Sequence, residues 1–200
     1  MTDKFTTMHG LAIKKAGNAA AVAALLGLEE AAVANALEAI VAAGEAMAAR
    51  GAFMLTPKGQ AALTSEYPAR FAPLRANADF GAAYERFDTV NTELKQLMLE
   101  WQTIDVAGES VPNDHADKEY DDAIIDRLGA LHERAEPVLA ALTDVLPRLE
   151  RYAARLEDAL AKAESGEARY VSGAKIDSYH TVWFELHEDL LRILDRERHE

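Results

Sequence analysis

The sequence predicts a mainly α-helical protein. Of its 200 residues, 40 are alanine, which has the highest intrinsic helix propensity. Half of the residues are apolar, which is enough to bury a sizeable core, and glycine and proline number only 11 and 6. The absence of cysteine excludes a disulfide scaffold, a cysteine-based zinc site and a thiol nucleophile.

The first 67 residues predict three helices, a β-hairpin and a further helix, in that order. Residues 5–16 carry apolar side chains on one side, and Asn18 can cap a second helix. Apolar residues recur at helical spacing within residues 28–44, which predicts the third helix. Apolar residues on both sides of Arg50-Gly51 suit a tight hairpin, and Pro57 opens the next helix.

This order of elements is typical of a winged helix-turn-helix, so we predict such a domain in residues 1–67; the alternative is a generic small helical domain with a hairpin. The third helix of a winged helix normally reads DNA. Here residues 29–44 contain three glutamates and no lysine or arginine, and the hairpin offers only Arg50. We therefore expect no nucleic-acid binding and predict that the small-residue face packs against another protein.

The rest of the chain predicts a linker followed by a helical bundle. Residues 68–79 hold two prolines and little hydrophobic periodicity, which indicates a linker. Amphipathic helices are expected at 80–101, 120–134, from Pro137 with a break near Pro147, and at 178–198, with a polar loop over 101–120. Four or five helices predict an up-down bundle in residues 80–200.

The net charge of −13 is concentrated in the C-terminal part. Residues 1–76 hold 7 basic and 6 acidic residues, whereas residues 77–200 hold 14 and 28. Such an acidic surface repels DNA and anionic membranes. No segment has the 18-residue apolar run of a membrane span, and charges stand where a signal peptide would be apolar. The expectation is a cytoplasmic protein without a membrane partner.

Two histidines of the predicted last helix are candidate binding residues. His180, Trp183, Phe184 and His187 share one helix face, so the histidines could bind a phosphate or an aromatic ligand. Alternatively, the aromatic residues belong to the core, and the histidines form hydrogen bonds inside the bundle or at its rim. The histidines are seven residues apart, about 10 Å by helix rise, which argues against a shared metal ion. We predict no metal or cofactor.

The polar loop before the predicted 120–134 helix supplies further candidates. Asp114 and His115, with Asp117, could ligate a cation or act as acid and base. Alternatively, they form a turn and cap the helix that follows. If the loop lies at one end of the bundle, Trp101, Asp114, His115 and His180 could converge there. No complete catalytic constellation and no glycine-rich phosphate loop is found, so no catalytic residue is assigned.

Three segments, NDHADKEYDD, LHERAEPVLAAL and IDSYHTVWFELHEDLL, resemble parts of actinobacterial proteins linked to phosphoenolpyruvate-utilising phosphotransferases. These are relatives of pyruvate phosphate dikinase and of the dikinases that phosphorylate phenolic compounds. In the resemblance, a winged-helix segment similar to HGLAIKKAG and LTPKGQAAL precedes the helical part, so nearly the whole chain is covered.

The same resemblance has two departures. The Thr-Ser-His-Ala-like loop that carries phosphate in such enzymes is absent, and so is an ATP-grasp domain. The resemblance therefore implies a non-catalytic accessory subunit that docks on a larger phosphoenolpyruvate- or ATP-binding subunit, or that supplies part of an aromatic-substrate pocket. The main alternative is a PadR- or MarR-like transcriptional regulator; a third is an enzyme using Asp114, His115 and His180. Self-association is compatible with these functions.

Overall fold

A computed structural model describes residues 3–106 and 108–197. The chain is mainly helical, as predicted, with two small antiparallel two-stranded sheets in the described part. Its elements are α1 (Lys4–Lys14), α2 (Ala19–Leu26), α3 (Glu30–Ala42), β1 (Ala46–Ala49), β2 (Ala52–Leu55), α4 (Pro57–Arg75), α5 (Ala78–Gln102), β3 (Thr103–Val106), β4 (Glu109–Pro112), α6 (Lys118–Val145), a 3₁₀ turn (Pro147–Leu149), α7 (Glu150–Glu164), α8 (Arg169–Ser172) and α9 (Tyr179–Leu194).

The chain divides into two compact units. The first contains the described residues up to Ala76 together with those from Glu188 onwards, and the second contains Asn77–His187. The predicted bundle was expected to extend to residue 200, but the end of α9 belongs to the first unit. The predicted last helix ended at Arg198, which lies outside the described residues; α9 ends at Leu194.

The first unit begins with α1, α2 and α3 and a hairpin. The Asn18 side chain accepts a hydrogen bond from the Ala21 amide and caps α2, as its position predicted. In the hairpin, Arg50 and Gly51 have φ angles of 52° and 79°, the left-handed pair that a two-residue turn requires. Buried side chains from all three helices, including Leu11, form the core.

The start of α4 packs closely against the hairpin. The Thr56 hydroxyl accepts a hydrogen bond from the Gly59 amide, which caps the helix, and donates to the Gly44 carbonyl at 2.8 Å. A Cβ atom on Gly59 would overlap the backbone carbonyl of Glu45. Residues 55–59, with the pattern Leu-Thr-x-x-Gly, therefore combine a helix cap at Thr56 with a close backbone approach at Gly59 that only glycine allows.

Prolines do not interrupt the helices where the sequence led us to expect. α4 continues through Pro68 and Pro73 to Arg75, so most of the predicted 68–79 linker is helical. α6 likewise runs through Pro137. A proline leaves the carbonyl four residues earlier without its helical donor. Those carbonyls belong to Thr64, Ala69 and Glu133, which are exposed, so water can take the donor's place.

A second hairpin replaces part of the predicted polar loop. β3 and β4 pair antiparallel, with Ile104 opposite Val111, so the prediction of a helical bundle with only a polar loop over 101–120 was wrong at this point. Ile104 and Val106 alternate with polar residues, and Gly108 has a φ of 89°. Alternation followed by a glycine turn is a hairpin signal that the sequence contained.

The second unit is built on the long helices α5, α6 and α7 and the first part of α9. The predicted break near Pro147 is present, because α6 ends at Val145 and α7 starts at Glu150. α8 lies in the stretch expected to be a simple connection. In the described part of the chain, no single helix is both long and apolar enough to cross a membrane; α2 and α3 meet that test only as a pair, bent by 117°.

Candidate functional site

The structure brings two of the predicted site residues together in the second unit. The rings of Trp101 and His115 lie with their centroids 4.5 Å apart. His115 Nδ1 is 3.0 Å from the carboxylate of Asp121, a residue that we did not predict. Asn113 joins them by donating to Asp121 at 3.0 Å and to the Trp101 carbonyl at 3.1 Å. We call Trp101, Asn113, His115 and Asp121 the α6 head cluster.

Asp114 forms the turn and Asp117 caps the helix, as the alternative interpretation proposed. Asp114 accepts a hydrogen bond from the Ala116 amide at 3.0 Å. Asp117 accepts from the Tyr120 amide and caps α6. Neither carboxylate belongs to the α6 head cluster, so Asp114 is placed beside it as a backbone support.

His115 has the geometry of an oriented base. The Asp121 carboxylate can only accept, so it fixes the proton on Nδ1 and leaves the lone pair on Nε2. The His115 side chain is 40% exposed, and its φ of 60° is unusual for a residue with a side chain. Trp101 is buried beneath it and donates its indole N–H to Ser172 at 3.0 Å. Trp101 therefore supports the imidazole and offers no open ring face.

The two histidines of α9 have different surroundings. His180 is half-buried in the first turn of α9. Among the described residues, the side chain of His115 contacts the other members of the α6 head cluster and does not contact His180. His187 is buried against Phe87, with ring centroids 5.5 Å apart. The burial of His187 agrees with the alternative interpretation, in which the histidines lie inside the bundle or at its rim.

The aromatic residues between these histidines also differ from each other. Trp183 is buried as predicted, stacks on Phe87 at 4.8 Å and donates its N–H to Asn91 at 3.1 Å. Phe184, which was expected to be largely buried, is only half-buried. This face of α9 is therefore unevenly buried, because the two neighbouring side chains reach the core to different depths.

The first unit contains a buried network of side-chain hydrogen bonds that the sequence analysis did not predict. His9 Nε2 is 2.8 Å from the Asp189 carboxylate, and His9 Nδ1 is 3.1 Å from the Tyr67 hydroxyl. All three side chains are buried, with Asp189 fully so. The signal available in the sequence was a histidine and an aspartate within apolar helical stretches, but nothing local pairs them.

The direction of the hydrogen bonds in this buried network follows from which atoms can donate. Asp189 accepts from Nε2–H, so Nδ1 of a neutral His9 accepts from the Tyr67 hydroxyl, whose oxygen in turn accepts from Arg192. Burial raises the pKa of Tyr67 to about 12, partly opposed by Arg192. The hydroxyl therefore stays neutral, and it lines a cavity of about 270 Å³ together with Arg192 and Glu188.

The site residues include no metal centre: in residues 3–106 and 108–197, no group of three or more His, Asp or Glu side chains could hold a metal ion. Comparison of the chain with protein-family models, with curated proteins and with solved structures gives no match.

Proposed function

We propose that this chain is a non-catalytic accessory subunit of a dikinase-like phosphotransferase that uses phosphoenolpyruvate or ATP. In this proposal residues 1–67 form a winged helix and the segment after residue 80 a helical bundle. The order helix–helix–helix–hairpin–helix supports the winged helix, and the long helices of the second unit support the bundle. The sequence resemblance supports a partner enzyme that acts on phenolic or other aromatic substrates.

The observation that carries the proposal is the exposed face of α3. Its exposed residues are small, neutral or acidic: Glu30, Ala31, Asn35, Glu38, Ala39 and Ala42. A helix that enters a DNA groove needs cations for the phosphates and donors for the bases. Three of these six residues are alanines, which let another protein's backbone approach closely, and none is basic, which favours protein binding over DNA binding.

The α6 head cluster and His180 are the candidate partner- or substrate-contacting groups of this subunit. His115 presents Nε2 from a half-exposed ring, and His180 lies in the first turn of α9. Neither has a glycine-rich loop beside it that would hold a phosphoryl donor. We therefore assign the phosphoryl transfer to the partner and expect the isolated chain to stay unlabelled by radioactive ATP or phosphoenolpyruvate.

Co-purification tests this function. The tagged protein is recovered from lysate of its native cells, and the retained proteins are identified. A large ATP- or phosphoenolpyruvate-binding protein is expected, and its recovery should fall for Ala39→Arg, which alters the α3 face. Ala161→Arg, on the exposed side of α7, is the matched control. Label on the isolated chain, or retention of no such protein, would contradict the proposal.

A PadR- or MarR-like regulator is the second candidate. It is favoured by the same order of elements and by the cavity beside Tyr67 in the first unit. A gel shift separates the two candidates. With α3 lacking cations, duplex DNA should bind no better than the non-specific range of about 10⁻⁴ to 10⁻⁶ M at physiological salt. Sequence-selective binding at nanomolar concentration would replace the accessory-subunit proposal with the regulator.

A further inference from the structure

A groove of about 350 Å³ runs between α6 and α7. Each helix contributes one stripe with the spacing i, i+3, i+4, i+7, so the groove is about two helical turns long, close to 10 Å. The α6 stripe is Glu136, Leu139, Ala140 and Thr143, and the α7 stripe is Glu150, Ala153, Ala154 and Glu157.

The floor of this α6–α7 groove is apolar and shallow. Leu139 is buried, whereas the alanines of both helices are half-buried or exposed, as at Ala140 and Ala154. Because only the 146–149 link separates the helices, they run antiparallel. Glu136 and Glu157 therefore lie at one end with His132, on which both act electrostatically, and Glu150 lies at the other end.

In the part of the chain that the structure describes, the rim carboxylates of the α6–α7 groove form no hydrogen bond and no ion pair. These carboxylates belong to Glu136, Glu150 and Glu157, and no lysine or arginine within residues 3–106 and 108–197 lines the groove. The second unit as a whole has 11 basic and 23 acidic residues, a net charge of −12.

The neighbouring groove between α5 and α6 provides the contrast. Its volume is about 450 Å³, and its rim charges neutralise each other: Arg134 pairs with Glu93 at 2.7 Å, and Arg127 pairs with Glu100. Of these two grooves, only the α6–α7 groove combines an apolar floor with three carboxylates that form no ion pair in the described part of the chain.

We propose that the α6–α7 groove receives a lysine- or arginine-bearing helix of a partner protein. An alanine floor two turns long fits a helix that presents one apolar stripe, the usual helix-in-groove mode. Carboxylates at both ends of the groove then meet basic side chains about two turns apart, at the two ends of that stripe. The inference rests on the proposed function, because it assigns a second surface, besides the α3 face, by which an accessory subunit would hold its partner.

A defined probe tests the groove. A capped, fluorescein-labelled, alanine-based helical peptide with lysines at i and i+7 and leucines at i+3 and i+4 between them is titrated against the full chain by anisotropy. The triple variant Glu136→Gln, Glu150→Gln, Glu157→Gln should weaken binding about tenfold, since exposed ion pairs contribute modestly each. The control variant Glu109→Gln, Glu119→Gln, Asp126→Asn removes the same charge elsewhere and should change affinity less than about twofold.

An uncharged substitution separates groove binding from simple attraction of opposite charges. Ala154→Leu fills the floor and should also weaken the peptide at least about tenfold, while leaving the circular dichroism spectrum unchanged. Equal losses for the two charge variants, or no loss for Ala154→Leu, would overturn the groove assignment. So would self-association of the chain that the Glu136, Glu150, Glu157 variant abolishes, because the occupant would then be a second copy.

The native partner distinguishes this inference from the proposed function. If the triple groove variant still retains a phosphoenolpyruvate- or ATP-binding protein from lysate as well as the wild type does, the groove assignment is wrong and the proposed function stands. If the peptide needs the groove but the retained partner is no phosphotransferase, the groove assignment stands and the proposed function is wrong.

Discussion

His9 and Asp189 are 180 positions apart in the chain, yet a 2.8 Å hydrogen bond joins them in the interior of the first unit. The bond ties the first helix to the last one, and both side chains are almost completely removed from water. A buried polar pair is stable only while both members are present, because each would otherwise lose its hydration without replacement.

Replacing Asp189 should strongly destabilise the protein. Asp189→Ala leaves the buried Nε2–H of His9 without an acceptor, and we expect the free energy of unfolding to fall by roughly 3–5 kcal/mol. Urea denaturation followed by circular dichroism measures this. Asp195→Ala is the control, because that side chain is 79% exposed and its surface ion pair with Arg75 is expected to contribute less than about 1 kcal/mol. Similar losses for the two variants would contradict a stabilising role for the buried pair.

Tyr67 should make stability fall at high pH. Its pKa rises from the ordinary value of 10.0 to about 12 on folding, so the folded state keeps the proton that the unfolded chain loses. The resulting contribution is complete below pH 10 and is lost as the pH approaches 12, an effect of roughly 2–3 kcal/mol. Denaturation midpoints across this range should fall less steeply for Tyr67→Phe; parallel curves would refute the prediction.

Trp183 and Phe184 should differ in their contributions, although they are neighbours. Trp183→Ala removes a buried ring that stacks on Phe87 and leaves Asn91 without its indole donor, so we expect a loss of roughly 3–5 kcal/mol. Phe184 is half-buried, and its truncation should cost about half as much or less. Thermal unfolding of the two variants provides the comparison, and an equal loss would place Phe184 in the core.

Two glycines should respond in opposite directions to the same substitution. Gly59→Ala drives a methyl group into the Glu45 carbonyl, and we expect a loss of roughly 3 kcal/mol. Gly81 lies inside α5 with open space around its Cβ position, so Gly81→Ala should stabilise the helix by roughly 0.5–1 kcal/mol. A shift of both melting temperatures in the same direction would argue against the close approach at Gly59.

The helical class and most elements of the first unit follow from local sequence patterns. The Asn18 cap, the Arg50-Gly51 turn and the Thr56-Pro57 helix start were predictable, because caps and turns depend on residues within a few positions of each other. The break near Pro147 was predictable for the same reason. At these positions local preference and final structure agree.

Tertiary packing, in contrast, determines which local signals prevail and which distant residues meet. Pro68, Pro73 and Pro137 stay inside helices because the carbonyls that they deprive of a donor are at exposed positions, a property of packing. His115 acquires Asp121 as its partner because the β3–β4 hairpin returns the chain to the start of α6. His9 meets Asp189 because the end of α9 packs within the first unit, and no pattern of a few residues encodes a contact across 180 positions.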